Sequence, residues 1–198
     1  TNEIDCDPSD ERVGVLALHG YRSTPAEVRK MSEFLAKSVD VVYAPRMAGH
    51  GTAPVNLKDV SYMDWYESVQ RAYAALRSSC DKVVLVGFST GGLICLLACA
   101  LKNNKVDKLV SISSALKLKD IRAKIVGSVN IWNDLLDKFK IKKYQLDYIE
   151  TPPENPLINY KHNYLKGVEE LGKLMSHVNN VLSEVKVDSL IMQAKNDP

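Results

Sequence analysis

Continuous apolar runs alternate, over the first 115 positions, with stretches in which apolar residues recur every three or four positions. Continuous runs are typical of buried parallel strands, and the longer spacing is typical of helices with one apolar face. Strands are predicted over residues 13–18, 41–44, 82–86 and 108–112, and helices from Pro25 and over 62–76 and 89–101. This alternation indicates βαβ units and therefore a parallel sheet flanked by helices.

The first two predicted helices carry recognisable signals. Ser23 or Thr24 is a suitable N-cap for the first helix, with Pro25 in the first helical position and Glu27 in the first turn. Its predicted apolar face consists of Val28, Met31, Phe34 and Leu35. The predicted apolar face of the second helix consists of Trp65, Val69, Tyr73 and Leu76.

The pattern changes after residue 114, and no strand is predicted between residues 117 and 184. Two amphipathic stretches are predicted there instead, separated by the helix-breaking prolines at 152, 153 and 156. The first carries Ile121, Ile125, Val129, Trp132, Leu135, Leu136 and Phe139, and the second carries Val168, Leu171, Met175, Val178 and Leu182. Strand character returns over 187–192. We predict one domain, with its core at 1–115 and 186–198 and a helical insertion at 116–185.

Composition and charge exclude several classes of protein. A chain of 198 residues with 45% hydrophobic and 25% charged positions suits one folded α/β domain. Its apolar runs are far shorter than the ~20 residues of a membrane span. A net charge of +2 gives no electrostatic case for nucleic-acid binding. We therefore expect a soluble domain with no nucleic-acid partner and no stable membrane insertion.

The cysteines and the N-terminal segment add little to this picture. Cys6, Cys80, Cys95 and Cys99 are too few for a disulfide scaffold and lack the spacing of a zinc site, so no metal and no redox chemistry is predicted. Cys95 and Cys99 share one face of a predicted helix and are expected to be buried. The first residues lack an apolar signal-peptide core, which leaves a cytoplasmic location as the default expectation.

The segment Gly87-Phe88-Ser89-Thr90-Gly91-Gly92 matches the G-x-S-x-G pattern of a nucleophile elbow. A strand is predicted before it and a helix after it, as such an elbow requires. Gly87 and Gly91 would leave room for a strained turn at Ser89, and the Thr90 N–H would point to a developing oxyanion. The alternative is an ordinary glycine-flanked turn between a strand and a helix.

The segment His19-Gly20-Tyr21 follows the first predicted strand. Ligands of open parallel sheets bind beyond the C-terminal ends of the strands, so this turn and Ser89 are expected to converge. Gly20 would let the backbone turn, and the Tyr21 N–H would be a second oxyanion donor. His19 could serve as a general base, but its position directly after a buried strand favours structural hydrogen bonding.

These two segments, together with the loop Pro45-Arg46-Met47-Ala48-Gly49-His50-Gly51-Thr52, resemble the α/β-hydrolase superfamily. The resemblance is to the bacterial carboxylesterase and monoacylglycerol-lipase branch of serine-aminopeptidase-like hydrolases, whose P-x-x-x-G-H-G loop is similar to residues 45–51. It covers residues 13–115 and, less closely, 187–198. It implies that the helical insertion forms a cap, that His50 has a structural role and that no cofactor is used.

The same resemblance makes Asp197 the acid of a catalytic triad, orienting a histidine and stabilising its charged form. An aspartate before a proline is also a common turn residue. Chain order in this fold is Ser, then Asp, then His, yet His19, His50, His162 and His177 all precede Asp197. The resemblance therefore implies that the histidine, a further strand and a closing helix are missing from the sequence.

The activity implied is hydrolysis of carboxylic esters of small or lipid-like acyl groups through an acyl-enzyme on Ser89. A peptidase, thioesterase or acyltransferase would use the same elbow. The alternative from another class is a non-catalytic binding module or an inactive truncated fragment. The apolar side chains Trp132, Leu136, Phe139 and Leu171 would line an acyl pocket or pack on the core. Nothing in the sequence indicates the oligomeric state.

Overall fold

The computed structural model describes residues 11–101, 105–116, 129, 133, 138, 146–153 and 155–194. Its central sheet contains β1 (Val13–Leu18), β2 (Val41–Tyr43), β3 (Lys82–Phe88), β4 (Lys108–Ile112) and β7 (Ser189–Met192). These five strands lie in the order β2-β1-β3-β4-β7, and all neighbours are parallel. The predicted parallel sheet is therefore confirmed, with strand ends within two residues of the predicted positions.

Four helices are described in full: α1 (Arg29–Leu35), α2 (Tyr62–Arg77), α3 (Thr90–Ala100) and α4 (Leu165–Val181). A short 3-10 turn, Pro25–Val28, precedes α1, and Thr24 caps it by accepting the Ala26 N–H through its side chain. Ser61 and Asp64 form a capping box at the start of α2. No helix in the described part of the chain is long and apolar enough to cross a bilayer.

The core forms where α2 and α3 pack on the sheet and α4 packs on α2 and α3. All four side chains predicted for the apolar face of α2 are buried, and so is nearly every residue of α3. Cys95 in α3 is fully buried and Cys99 partly so. The prediction for the first helix was wrong in one respect, because Phe34 is 69% exposed and only Val28 of that face is buried. Residues 25–28 form a tighter 3-10 turn, which breaks the α-helical spacing.

The order of the strands creates a switch point between β1 and β3. The chain runs from β1 outward to β2, and then from β3 outward to β4 and β7 in the opposite direction. Leu18 at the end of β1 lies in register with Gly87 near the end of β3. The turns that follow β1 and β3 therefore leave the sheet side by side, where open parallel sheets bind ligands.

Residues 117–184 were predicted to contain no strand, and this was wrong. The strands β5 (Tyr148–Glu150) and β6 (His162–Tyr164) form an antiparallel pair. The ring of Tyr148 contacts those of His162 and Tyr164, at centroid distances of 4.5 and 5.4 Å. Strands of three residues are too short to show alternation in a sequence, and cross-strand aromatic contacts stabilise them.

The second predicted amphipathic stretch corresponds to α4, in which Met175 and Val178 are buried. The first lies outside the described residues, apart from helical residues at 129, 133 and 138. The division into a core at 1–115 and 186–198 and a cap at 116–185 stays a prediction.

Candidate active site

Ser89 lies in the tight turn between β3 and α3. Its backbone angles are φ 53° and ψ −117°, a conformation that residues other than glycine rarely adopt. Its N–H donates to the Ile112 carbonyl at 2.8 Å. Its own carbonyl accepts the N–H groups of Gly92 and Leu93 at 3.0 and 3.2 Å, and the Ser114 hydroxyl at 3.2 Å. Contacts from β4 and α3 thus hold Ser89 in a strained conformation.

Two glycines provide the space that this turn needs. A Cβ at Gly87 would lie 2.4 Å from the backbone of Gly91, and a Cβ at Gly91 would lie 2.5 Å from the Leu18 carbonyl oxygen. Real Cβ atoms essentially never come so close to backbone atoms. The end of β1, the end of β3 and the start of α3 therefore meet at distances that only glycine permits.

The turn after β1 reaches Ser89 directly. A Cβ placed on Gly20 would lie 3.3 Å from the Ser89 Cβ, so the predicted convergence of the two segments is observed. The Tyr21 side chain leaves the site toward the start of α4, where its hydroxyl donates to the Tyr164 carbonyl at 3.5 Å. Burial raises the pKa of Tyr21 well above its ordinary value.

The His19 side chain is fully buried, and both of its ring nitrogens are engaged. The Met47 N–H donates to Nε2 at 3.3 Å, so Nε2 is unprotonated and Nδ1 carries the proton that it donates to the Gly20 carbonyl at 2.9 Å. Burial lowers the pKa of His19 to about 4, although the bond to Gly20 opposes this shift. His19 is therefore neutral near pH 7 and holds the loop at Met47 against the turn at Gly20.

His50 occupies the centre of an aromatic cluster. Its ring lies 5.2 Å from that of His19, 5.9 Å from that of Tyr21 and 5.5 Å from that of Trp65. Burial, and secondly the neighbouring His19, lowers its pKa to about 3, while the bond between Nδ1 and the Ala48 carbonyl at 2.9 Å opposes the shift. The Nε2 atom is buried with no hydrogen-bond partner among the described residues. His50 thus fills the space behind the turn as a neutral ring.

Two backbone N–H groups, in residues adjacent to Gly20 and to Ser89, have no acceptor among the hydrogen bonds of the described residues. They belong to Tyr21, in the turn after β1, and Thr90, the first residue of α3. The first turn of a helix leaves its N–H groups free, and the helix dipole favours negative charge there. A pair of free N–H groups beside a hydroxyl is suited to binding an oxygen that becomes negative during a reaction.

The other two histidines of the sequence, His162 and His177, have partners other than Ser89. Asp197 lies outside the described residues. His177 on α4 is bonded to the Tyr62 hydroxyl at 3.2 Å, and His162 on β6 lies 3.5 Å from Glu150. Among the hydrogen bonds of the described chain, none joins a histidine ring to the Ser89 hydroxyl.

Sequence reasoning missed two residues that support the site. The Glu27 carboxylate accepts the Gly20 N–H at 2.6 Å. Ser114, which is itself bonded to buried Ser111 at 2.7 Å, donates to the Ser89 carbonyl. The sequence signal at Glu27 was an acidic residue in a first helical turn, which normally indicates only a favourable interaction with the helix dipole.

A cavity of about 490 Å³ lies elsewhere, between the loop at 46–52 and α2. Its lining includes Arg46, Asp59, Ser68 and Arg71, but neither Ser89 nor the two free N–H groups. Arg71 forms an ion pair with Glu67, which is not part of the lining. Asp59 adds a negative charge to the cavity lining. This cavity is therefore separate from the strained serine.

Comparison with solved structures defines the class of protein. A structure reported for LipS and LipT, two metagenome-derived lipolytic enzymes, superposes with a TM-score of 0.79 at 21% identity, over 93% of this chain and 73% of the other. Together with the parallel sheet and the turn at Ser89, this similarity identifies the α/β-hydrolase fold.

The sequence comparisons narrow this class to a family. The family model described as "Serine aminopeptidase, S33" matches residues 9–198, and the chain belongs to that family. A thermostable monoacylglycerol lipase of Bacillus sp. strain H-257 is 28% identical over 188 residues, which cover 93% of this chain and 70% of the lipase. A carboxylesterase of Bacillus subtilis strain 168 is 32% identical over 83 residues, 41% of this chain and 34% of the esterase. The branch of α/β-hydrolases expected from the motifs is therefore confirmed.

Proposed function

We propose that this protein is a serine hydrolase that cleaves carboxylic esters of small or lipid-like acyl groups through an acyl-enzyme on Ser89. The observation that carries the proposal is the strained Ser89, next to a turn and a helix start whose Tyr21 and Thr90 N–H groups have no acceptor in the described chain. The relatives named as a monoacylglycerol lipase and a carboxylesterase favour an ester over an amide or thioester.

In the proposed reaction the Ser89 hydroxyl attacks the ester carbonyl. A base removes its proton, and the carbonyl oxygen becomes negative in a tetrahedral intermediate. The N–H groups of Tyr21 and Thr90 stabilise that oxygen, and each such donor is worth roughly 3 kcal/mol of transition-state stabilisation. Collapse of the intermediate expels the alcohol and leaves the acyl group on Ser89, from which water then removes it.

The supporting residues have distinct roles in this proposal. Gly87 and Gly91 permit the turn at Ser89, and Gly20 lets the neighbouring turn approach it. The peptide between Gly20 and Tyr21 is planar, so the direction of the Gly20 carbonyl also sets the direction of the Tyr21 N–H. His19 bonds that carbonyl and thereby aims the N–H, while His50 packs behind it. Both histidines are structural in this proposal, because the two ring nitrogens of His19 are engaged, His50 Nδ1 bonds the Ala48 carbonyl, and burial lowers the pKa of each ring and so makes it a weak base.

Asp197 is proposed as the acid that orients a histidine base. Such a base would follow Asp197 in chain order, as it does in this fold. A serine hydroxyl without a base is a weak nucleophile, so this histidine would remove the Ser89 proton during attack. The two oxyanion donors would contribute part of the rate.

The acyl pocket is proposed to lie against the amphipathic segments. Leu171 on α4 is partly buried and packs against the core, so it favours the packing interpretation. Trp132, Leu136 and Phe139 lie outside the described residues, and we propose that a minority of these side chains line the pocket while most pack on the core.

The test is intact mass spectrometry after exposure to an alkyl fluorophosphonate, which reacts with activated serines. We expect one adduct on the parent protein, none on Ser89→Ala, and one on the control Ser78→Ala, which removes an exposed serine at the end of α2. The intact mass reports the length of the labelled polypeptide at the same time. An unmodified parent, or an adduct that persists on Ser89→Ala, would overturn the proposal.

A further inference from the structure

Gly20, next to the Tyr21 N–H at the proposed site, needs contacts that fix its backbone conformation. A Cβ there would lie 3.3 Å from the Ser89 Cβ and 3.2 Å from Glu27 Oε2, so the position favours glycine. Glycine is also the residue with the greatest backbone freedom. The Tyr21 N–H belongs to the peptide that follows Gly20. The direction of this N–H therefore depends on φ and ψ of Gly20, the residue of the turn with the greatest backbone freedom. This inference therefore rests on the proposed function of Ser89 and the Tyr21 N–H.

The peptide plane after Gly20 is held on its carbonyl side. His19 Nδ1 donates to that carbonyl at 2.9 Å, and the Ser23 N–H donates to it at 3.4 Å. These two bonds restrain the plane that contains the Tyr21 N–H. They do not restrain the plane before Gly20, and both planes must be fixed to define the conformation of the glycine.

The plane before Gly20 is held by Glu27. Its Oε2 atom accepts the Gly20 N–H at 2.6 Å, and the Glu27 side chain is half-buried. Hydrogen bonds to an ionised acceptor are shorter and about twice as strong as neutral ones. The carboxylate therefore replaces the restraint that glycine lacks.

Glu27 is itself held from two directions. Its N–H donates to the Thr24 carbonyl at 3.0 Å, and its Oε1 atom accepts the Asn159 side-chain amide at 3.4 Å. The next residue, Tyr160, donates its N–H to the Arg22 carbonyl at 2.9 Å and accepts the Arg22 guanidinium at 3.0 Å on its own carbonyl. Arg22 needs this support, because its φ of 60° is unfavourable for a residue with a side chain.

We propose that Glu27 is a positioning residue which, through the Gly20 N–H, aims the Tyr21 N–H at the substrate carbonyl oxygen on Ser89. Asn159 supports the Glu27 carboxylate from the segment that precedes β6. Misplacing a reacting or stabilising group by about 1 Å costs on the order of 100-fold in rate. Loss of the Glu27 bond is therefore expected to slow the reaction of Ser89 by roughly 10-fold to 100-fold.

The simpler interpretation gives Glu27 only the stabilising role of an acidic residue in a first helical turn. The two interpretations differ in what glutamine can replace. Glu27→Gln removes the charge but keeps an oxygen that accepts the Gly20 N–H, whereas Glu27→Ala removes both. A positioning role requires that Glu27→Gln keeps nearly the parent rate at Ser89 and that Glu27→Ala slows it. A role in the helix dipole requires instead that both variants lose the same stability.

The experiment compares the parent protein with Glu27→Ala, Glu27→Gln, Asn159→Ala and Glu33→Ala. The last variant removes an exposed carboxylate of α1 and is the matched control. Two quantities are measured: hydrogen exchange of the Gly20 amide by NMR, and the rate at which an alkyl fluorophosphonate modifies Ser89. Melting temperatures and the exchange of amides in α2 report whether each variant is folded.

We expect Glu27→Ala to accelerate exchange at Gly20 and to slow phosphonylation by about 10-fold or more while α2 stays protected. Glu27→Gln and Glu33→Ala should remain within about threefold of the parent, and Asn159→Ala should slow the reaction by about two- to fivefold. A folded Glu27→Ala protein with unchanged exchange at Gly20 or an unchanged rate would overturn the inference. If the parent itself does not react, the function proposed for Ser89 fails, and exchange at Gly20 still decides whether Glu27 fixes the turn.

Discussion

Strands β1 and β7 are both short apolar segments of one parallel sheet, but their surroundings differ completely. In β1, Leu16 and Leu18 have no exposed surface. In β7, Leu190 and Ile191 are 56% and 58% exposed. An apolar run therefore predicts a strand equally well in both places, whereas burial depends on what lies beside and above the strand.

The candidate site lies beside β1, the buried strand of the two. β1 pairs with β2 on one side and β3 on the other, and both α2 and α3 pack on it. β7 pairs with β4 alone among the described strands. A strained residue such as Ser89 persists only where surrounding contacts over-determine its conformation. The centre of the sheet supplies those contacts through β4, α3 and the turn after β1.

The largest effect is expected from a side chain added where the buried elements meet. Gly87→Ala would place a Cβ 2.4 Å from the backbone of Gly91, which cannot move without displacing α3. We expect a loss of at least about 3 kcal/mol of unfolding free energy, or failure to fold. Gly172→Ala in α4 is the control, because a Cβ there has no neighbour within 4 Å. It should stabilise the protein by about 0.5–1 kcal/mol, as alanine does in a helix. Urea unfolding measures both, and equal effects would contradict the close packing described.

The comparison between strands is tested most directly by removing one leucine from each region. Leu85→Ala in β3 truncates a side chain with no exposed surface and should cost about 2–5 kcal/mol. Leu190→Ala in β7 truncates a half-exposed side chain and should cost about 1 kcal/mol or less. The difference between the two unfolding free energies is the informative quantity. A cost at Leu190 equal to that at Leu85 would mean that β7 is covered.

An intermediate effect is expected from pH, because the buried region contains two histidines with lowered pKa values. Folded-state values of about 4 for His19 and about 3 for His50 lie below the ordinary value of 6.5. Below pH 6.5 the unfolded chain binds more protons than the folded one, so the unfolding free energy falls as the pH decreases toward 4. At about 1.4 kcal/mol per pH unit for each group, the loss at pH 5 is roughly 2 kcal/mol per histidine.

This pH dependence is checked by urea unfolding at pH 7 and pH 5. His50→Phe keeps an aromatic ring in the cluster and removes one titrating group, so it should about halve the loss. The prediction fails if the parent is equally stable at both values, or if His50→Phe loses as much stability as the parent.

The smallest effect is expected from relief of strain at Ser89. Ser89→Gly removes the side chain from a backbone with φ 53° and should stabilise the fold by about 1 kcal/mol. The control is Ser78→Gly at the end of α2, where φ is −70° and glycine should cost about 0.5–1 kcal/mol. Shifts in melting temperature of opposite sign, relative to the parent, are expected for the two variants. A loss at Ser89 similar to that at Ser78 would show that the turn stores no strain.

Much of the fold could be predicted because its signals are local. The run of six apolar residues at β1 matches the observed strand at both ends, and Thr24, one of the two predicted N-cap candidates, caps the turn at Pro25. Ser89 and the turn at Gly20 could be placed together because parallel strands end at the same edge of a sheet. The strands β5 and β6 could not be predicted, because each has three residues and depends on pairing with the other.

The sequence by itself determined how helices alternate with the strands of the central sheet along the chain, the position of Ser89 between a strand and a helix, and the glycines that this position requires. These features depend on residues close together in the chain. Only the tertiary structure decided that Leu16 is buried and Leu190 exposed, that the ring nitrogens of His19 are both engaged, and that Glu27 holds the Gly20 N–H. The physical reason is that burial, tautomer and hydrogen-bond partner depend on atoms from distant parts of the chain, which are brought together only by folding.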